Sequence, residues 1–209
     1  MTEPDGPAQV VLFDADGVLQ LPLPTWAAEV AAFAGTDHPA ERERFVREVQ
    51  QAETSAYLGD VDFATVLAEL LRRWGLGHAP AEVLATWTRI TVEEAVLTRV
   101  DALVARGVRC AVATNQHRER AAYMRAELGH LDGFEAVFVS SDLGLAKPDP
   151  AFFRHVVRAL DVNPAEVLFV DDMAVNVEAA RAVGLRAEVF AHGGGVAELD
   201  RILALHGLA

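Results

Sequence analysis

Short apolar runs alternate with segments of helical periodicity along most of this chain. Gln9 to Phe13, Val108 to Thr114, Ala136 to Ser140 and Val167 to Val170 are compact runs rich in β-branched and aromatic residues, and a weaker one lies around Ala187 to Phe190. Between them, Glu93 to Ala105, Arg118 to Leu128 and Pro150 to Leu160 place apolar residues at helical spacing. Asp149 followed by Pro150 supplies an N-cap and a first-turn residue for the last of these. Buried strands alternating with helices predict βαβ units and an α/β domain with a central parallel sheet.

The stretch from about Leu19 to Thr91 follows a different pattern. It contains no convincing strand. Helical patterns near Trp26 to Phe33, Ala40 to Ser55, Phe63 to Trp74 and Ala81 to Thr88 are broken by Gly35, by Gly59 with Asp60, and by the GLGHAP segment. This predicts a helical insertion between the first strand and the rest of the sheet. Ligands of open α/β sheets bind outside the carboxyl ends of the strands. An insertion launched from such an end sits over the site as a lid or cap. The expected division is residues 1–18 and 92–209 for the α/β core and residues 19–91 for the cap. Met1 to Ala8 reads as a polar lead-in, and Gly193 to Gly195 as a turn or flexible loop.

Polar residues stand at four predicted strand exits. Asp14 and Asp16 end the first, in VVLFDADGVL; Thr114 and Asn115 end the second; Lys147 follows the third, in GLAKPDP; Asp171 and Asp172 end the fourth, with Asn176 beyond. Each admits a plain structural reading as a turn, a helix cap, a solvated lysine or a polar helix face. Parallel strands align their C-terminal ends, so the four sets converge despite their separation in sequence. Grouped carboxylates repel one another, and a hard cation such as Mg²⁺ relieves that repulsion. With Lys147 it would neutralise phosphoryl oxygens, while one aspartate attacks phosphorus and another handles the proton. The mixture suits transfer from a phosphorylated substrate.

Composition narrows the partners. Of 209 residues 52% are hydrophobic, enough for a sizeable core, and the net charge of -13 disfavours nucleic acid and anionic membrane surfaces. Cys110 is the only cysteine, which excludes an internal disulfide and a multi-cysteine zinc site. Its apolar run makes it a small core residue. Neither a signal peptide nor a bilayer-spanning stretch is visible. The expectation is a soluble cytoplasmic protein, a monomer or a weak homodimer, whose partner is a small phosphorylated metabolite.

The sequence resembles the haloacid dehalogenase-like (HAD) hydrolase superfamily. VVLFDADGVL is similar to its first motif, AVATN to its second, the lysine of LAKPDP to its third and VLFVDDMAVNVEAA to its fourth. The resemblance runs from Val10 to about Phe190. It implies a Rossmann-like three-layer domain with a small α-helical cap inserted after the first motif. It also implies a Mg²⁺-dependent phosphatase in which Asp14 is the nucleophile and forms an aspartyl-phosphate. Asp16 is then the general acid/base, with its backbone carbonyl on the metal. Thr114, the N–H of Asn115 and the N–H of Ala15 hold the phosphoryl group, and Lys147 holds the charge. Asp172 becomes a direct metal ligand, Asp171 acts directly or through water, and Asn176 orients that shell. Dehalogenases of the family place a non-acidic residue where Asp16 stands, because halide leaves without a proton; Asp16 therefore favours a phosphatase. A phosphosugar mutase shares the motifs, and a non-catalytic binding protein is the alternative of another class. Substrate choice is expected in the cap and after the second motif, with His117 and Trp26 as candidate contacts. Arg118 is expected on a solvated helix face, and Glu41 to Arg47 and Tyr57 near the entrance.

Overall fold

The computed structural model describes Gly6, residues 8–191 and residues 193–209. Residues 1–5 and Pro7 of the lead-in, and His192, lie outside the described residues. In chain order, β1 (Val10–Phe13) leads through β2 (Gln20–Pro22) into four helices, α1 (Trp26–Ala32), α2 (Pro39–Ser55), α3 (Phe63–Arg73) and α4 (Pro80–Leu84). The chain returns along β3 (Ile90–Val92) and continues through α5 (Glu94–Ala105), β4 (Arg109–Thr114), α6 (Arg118–Tyr123), β5 (Ala136–Val139), α7 (Ser140–Leu143) and α8 (Pro150–Leu160). It ends with β6 (Val167–Asp171), α9 (Ala174–Ala182), β7 (Arg186–Val189) and α10 (Gly195–Leu205).

Five strands form one sheet in the order β5-β4-β1-β6-β7, and every pairing in it is parallel. β1 is central. Its side chains alternate between two cores because successive residues of a strand face opposite ways. Val11 and Phe13 join Cys110, Val112, Leu168 and Val170 beneath α5 and α10. Val10 and Leu12 join Ala111, Ala113, Val167 and Phe169 beneath α8 and α9. Both faces are covered, which is why the strands read as unbroken apolar runs. Cys110 is a buried core thiol, and burial pushes its pKa up to about 12.

The inserted helices pack on a core of their own. Val30, Phe45, Val49, Phe63, Leu67, Leu70, Leu71, Val83 and Trp87 are all at most 5% exposed within it. One expectation is corrected. The insertion is entered and left through a ribbon in which β2 pairs antiparallel with β3, so the stretch does contain strand. Its strands are three residues long and one carries Pro22, too short for alternation to show. Gly193 lies in a turn, as expected, and the glycine run ends in α10, whose Leu199, Ile202 and Leu203 are buried against the sheet. Among the described residues no helix is long and apolar enough to cross a membrane.

Phe153 is fully buried and meets the Phe169 ring edge-on at 5.2 Å between centroids. Phe153→Ala opens a cavity between α8 and β6. We expect a loss of about 3–5 kcal/mol in urea-induced unfolding.

Candidate active site

The register of the sheet brings the chemistry together. Phe13 is level with Val112 of β4 and Val170 of β6, so the residue after it, Asp14, emerges level with Asp171 and with Ala113, one residue short of Thr114. The Asp14 N–H still donates to the Val170 carbonyl at 2.8 Å. Beyond it the chain turns tightly: Leu19 and Gln20 donate to the Ala15 carbonyl, and Gly17 to the Gln20 carbonyl.

Lys147 is the centre of the site. Its Nζ lies 2.9 Å from Asp14 Oδ1 and 2.7 Å from Asp171 Oδ2, and all three side chains are buried. The Phe169 ring lies 5.5 Å below the ammonium. Burial alone would lower the lysine pKa, but the carboxylates of Asp14 and Asp171 outweigh it and hold it above its ordinary value. Burial pushes the Asp14 carboxyl well up, and Asp171 acts in the same direction against Lys147. The lysine is placed by Asn115, whose amide grips the Lys147 backbone from both sides. Asn115 Nδ2 donates to the Lys147 carbonyl at 2.8 Å, and the Lys147 N–H donates to Asn115 Oδ1 at 2.9 Å.

A carboxylate cluster adjoins the lysine. Oxygens of Asp14, Asp171 and Asp172 all lie within 4.8 Å of one another. This oxygen donor set suits a hard divalent cation. Asp171 is already committed: Oδ1 accepts from Met173 N–H and Asn176 Nδ2, and Oδ2 from Lys147 and Asn176. Asp14 and Asp172 are the freer donors. Burial, and next the charge of Asp171, raises the pKa of Asp172, the strain that a cation relieves. The turn accommodates this carboxylate only because residue 17 has no side chain. A Cβ on Gly17 would stand 2.4 Å from Asp172 Oδ2, and its φ is +79°.

Asp16 faces the other way. Its carboxylate is held bidentately by the Arg120 guanidinium, with Nη2 donating to Oδ1 at 2.8 Å, and it also accepts from Gln20 Nε2 and Gln116 Nε2, each at 2.8 Å. Burial would raise its pKa, but Arg120 and the two amides hold it below the usual value. Arg120 itself is buried. Its Nε donates to the Trp87 carbonyl at 3.1 Å, so one side chain joins Asp16 to the inserted helices.

A cavity of about 340 Å³ is lined by Asp14, Asp16, Thr114, Asn115, Lys147 and Asp172. Asn176 and Tyr57 also reach it. A second, of about 180 Å³, lies between core and insertion, and Asp16 and Tyr57 line both. Trp26 borders this second cavity. Ala15 is buried, and its N–H is taken by Asp14 Oδ1 at 2.7 Å. His117 borders neither cavity. It is buried as the N-cap of α6, with Nδ1 2.9 Å from Glu119 and its ring 4.6 Å from that of Phe63, so packing at the seam occupies it. Arg118 is exposed, as its predicted helix face requires.

Sequence reasoning missed Arg120, Gln116 and Glu53. A signal existed for Arg120: helical spacing sets it on the face of Gln116 and away from Arg118. Glu53 carried none, since it sits in a helix of mostly solvated charge. It is nevertheless 9% exposed and accepts from Trp87 Nε1 at 2.7 Å.

Residues 8–184 match the family model for haloacid dehalogenase-like hydrolases. The chain belongs to this family and is an enzyme, a hydrolase whose curated relatives include phosphatases. A phosphoglycolate phosphatase of Rhodospirillum rubrum is 27% identical over 201 residues, covering 88% of this chain and 80% of that one. The sesquiterpene phosphatase AstK of Aspergillus oryzae is 46% identical over 54 residues, which span 26% of this chain and only 28% of that protein. A HAD family enzyme of Bacteroides thetaiotaomicron, solved with magnesium and inorganic phosphate, superposes with a TM-score of 0.73 over 92% of this chain and 98% of its own, at 17% identity.

Two outcomes follow from the site. Gly17→Ala and Gly107→Ala both force a side chain into positive φ, but the new Cβ at residue 107 meets open space. Each should lose more than about 1 kcal/mol in chemical denaturation, and Gly17→Ala the more because Asp172 must move. Burial raises Glu53 from 4.5 to about 7, so over that range the folded protein holds a proton that the unfolded chain releases. Its contribution is full at low pH and declines as pH rises toward 7. The stability of Glu53→Gln relative to the parent should therefore increase between pH 5 and pH 7.5, by on the order of 1–3 kcal/mol in urea titrations.

Proposed function

We propose that this hydrolase is a Mg²⁺-dependent phosphomonoesterase acting on a small phosphorylated metabolite through an aspartyl-phosphate on Asp14. The observation that carries this reading is the Lys147 ammonium between Asp14 and Asp171, beside Asp172 and at the floor of a cavity ringed by phosphate-compatible donors. Asp14 and Asp172 would hold the cation with the Asp16 carbonyl, and Asp171 and Asn176 would support it. When bound, the cation supplies charge neutralisation for the phosphoryl oxygens.

Asp14 attacks phosphorus in line, and the bond from phosphorus to the substrate alcohol breaks. Lys147 and the Thr114 hydroxyl offset the charge on the phosphoryl oxygens. The departing alkoxide takes a proton from Asp16. In the second half, Asp16 accepts a proton from water as the water attacks phosphorus and Asp14 is released. The Arg120 pair favours Asp16 in its carboxylate form, the state that the second half uses; in the first half the carboxyl loosens from the guanidinium and carries the proton it took from water in the preceding turnover. The domain division 1–18 with 92–209 and 19–91 belongs to this reading, with α1, α2 and the segment around Trp87 closing over the alcohol.

The test is phosphate release from sugar phosphates, nucleotides and small phosphorylated acids, with Mg²⁺ and with EDTA. We expect release that depends on Mg²⁺, disappears in Asp14→Asn and falls by about 10²–10⁴-fold in kcat for Asp16→Asn. Release that survives EDTA and Asp14→Asn, or no release from any substrate, would overturn the reading.

A further inference from the structure

We propose that Glu53 is the specificity-determining residue of this enzyme, selecting phosphate esters of small uncharged hydroxylated alcohols and rejecting those whose alcohol carries a carboxylate. The inference rests on the phosphatase reading and concerns the half of the substrate that the motifs do not describe.

Two adjoining cavities share Asp16 and Tyr57 as a common wall. The larger holds Asp14, Lys147 and Asp172, where phosphorus must sit. The alcohol oxygen lies at Asp16, so the rest of the alcohol enters the smaller cavity. Its volume of about 180 Å³ is roughly six times the ≈ 30 Å³ share of one water in the liquid, which suits an alcohol of a few carbons.

The wall of that cavity is defined by charge. Arg120 is neutralised by Asp16, and Arg89 by Glu29 at 2.6 Å. Neither lining cation is thus without a carboxylate of its own. Glu53 adds a further buried carboxyl, fixed at Oε1 by the indole N–H of Trp87. A second carboxylate brought in by substrate would face Glu53 in a desolvated space with no free cation to meet it, so one of the two carboxyls must take up a proton on binding, a cost that works against such a ligand. A hydroxyl suffers no such penalty, because a carboxyl accepts from it when ionised and can also donate when protonated. Burial brings the Glu53 pKa to about 7, so both states are accessible near neutrality. Trp26 and Trp87, edge-on at 5.0 Å, offer apolar surface to the carbon skeleton.

Glycerol 3-phosphate and 3-phosphoglycerate test this directly, since they differ by a hydroxymethyl group against a carboxylate. Methyl phosphate serves as the reference whose leaving group stops short of Glu53. In the parent enzyme with Mg²⁺ we expect kcat/KM to favour glycerol 3-phosphate by on the order of tenfold or more. Glu53→Gln keeps an oxygen for the Trp87 bond and should narrow that ratio about tenfold, through KM for 3-phosphoglycerate and by more than any change in kcat/KM for methyl phosphate. Glu29→Gln leaves Glu53 in place, frees Arg89 of its counter-charge and should shift the ratio in the same direction. Calorimetric binding of both esters to the inactive Asp14→Asn protein should rank them alike without turnover. A parent preference for 3-phosphoglycerate, or a ratio that neither variant moves, overturns the assignment of Glu53 alone. No phosphate from any of the three esters overturns the phosphatase reading and this assignment with it.

Discussion

The ammonium of Lys147, buried between Asp14 and Asp171, is the interaction on which the catalytic end of this molecule depends. Two carboxylates at the exits of adjacent strands repel each other, and burial deepens the penalty. One cation placed between them offsets that repulsion where water is scarce. Removing it leaves two uncompensated carboxylates in low dielectric, a far larger loss than any exposed pair represents. Other features serve this contact. The parallel register sets Asp14 beside Asp171. The Asn115 amide fixes the Lys147 backbone. The bare Cα of Gly17 lets Asp172 close in beside the pair.

A second chain of polar contacts leads away from the sheet. Arg120 links Asp16 to the Trp87 carbonyl, and the Trp87 indole holds Glu53. In the proposed reading, the residue that handles the proton and the residue that meets the alcohol are therefore joined by three successive contacts across the seam. The Ala64 N–H, which donates to Glu119 at 3.1 Å, and the tilted contact of the Phe63 ring with His117 hold the same seam from the side. A shift of the inserted helices large enough to admit substrate would have to pull on the partner of Asp16.

The parallel sheet was legible because burial on both faces leaves an unmistakable mark: VVLF, RCAVAT and VLFVD are apolar at every or nearly every position. The site was legible for a related reason, since each polar residue stands just where such a run stops. What escaped had no local signature. Asp16 and Arg120 are 104 residues apart, and only the folded register makes them partners. Glu53 belongs to α2, where charged residues at almost every other position hide the one that faces inward. The ribbon of β2 and β3 is too brief for periodicity to register. His117 shows the opposite error: a histidine beside a catalytic motif looks like chemistry, but here its ring fills space against Phe63.

The inserted helices bury their apolar side chains on one another, in a core separate from the two that flank the sheet. Substitutions in distant, independently packed regions tend to add without interfering. The lining of the cavity between core and insertion can drift, residue by residue, while Asp14 and Lys147 stay in register. A lineage built this way can explore new substrates with a reaction centre it never has to reinvent.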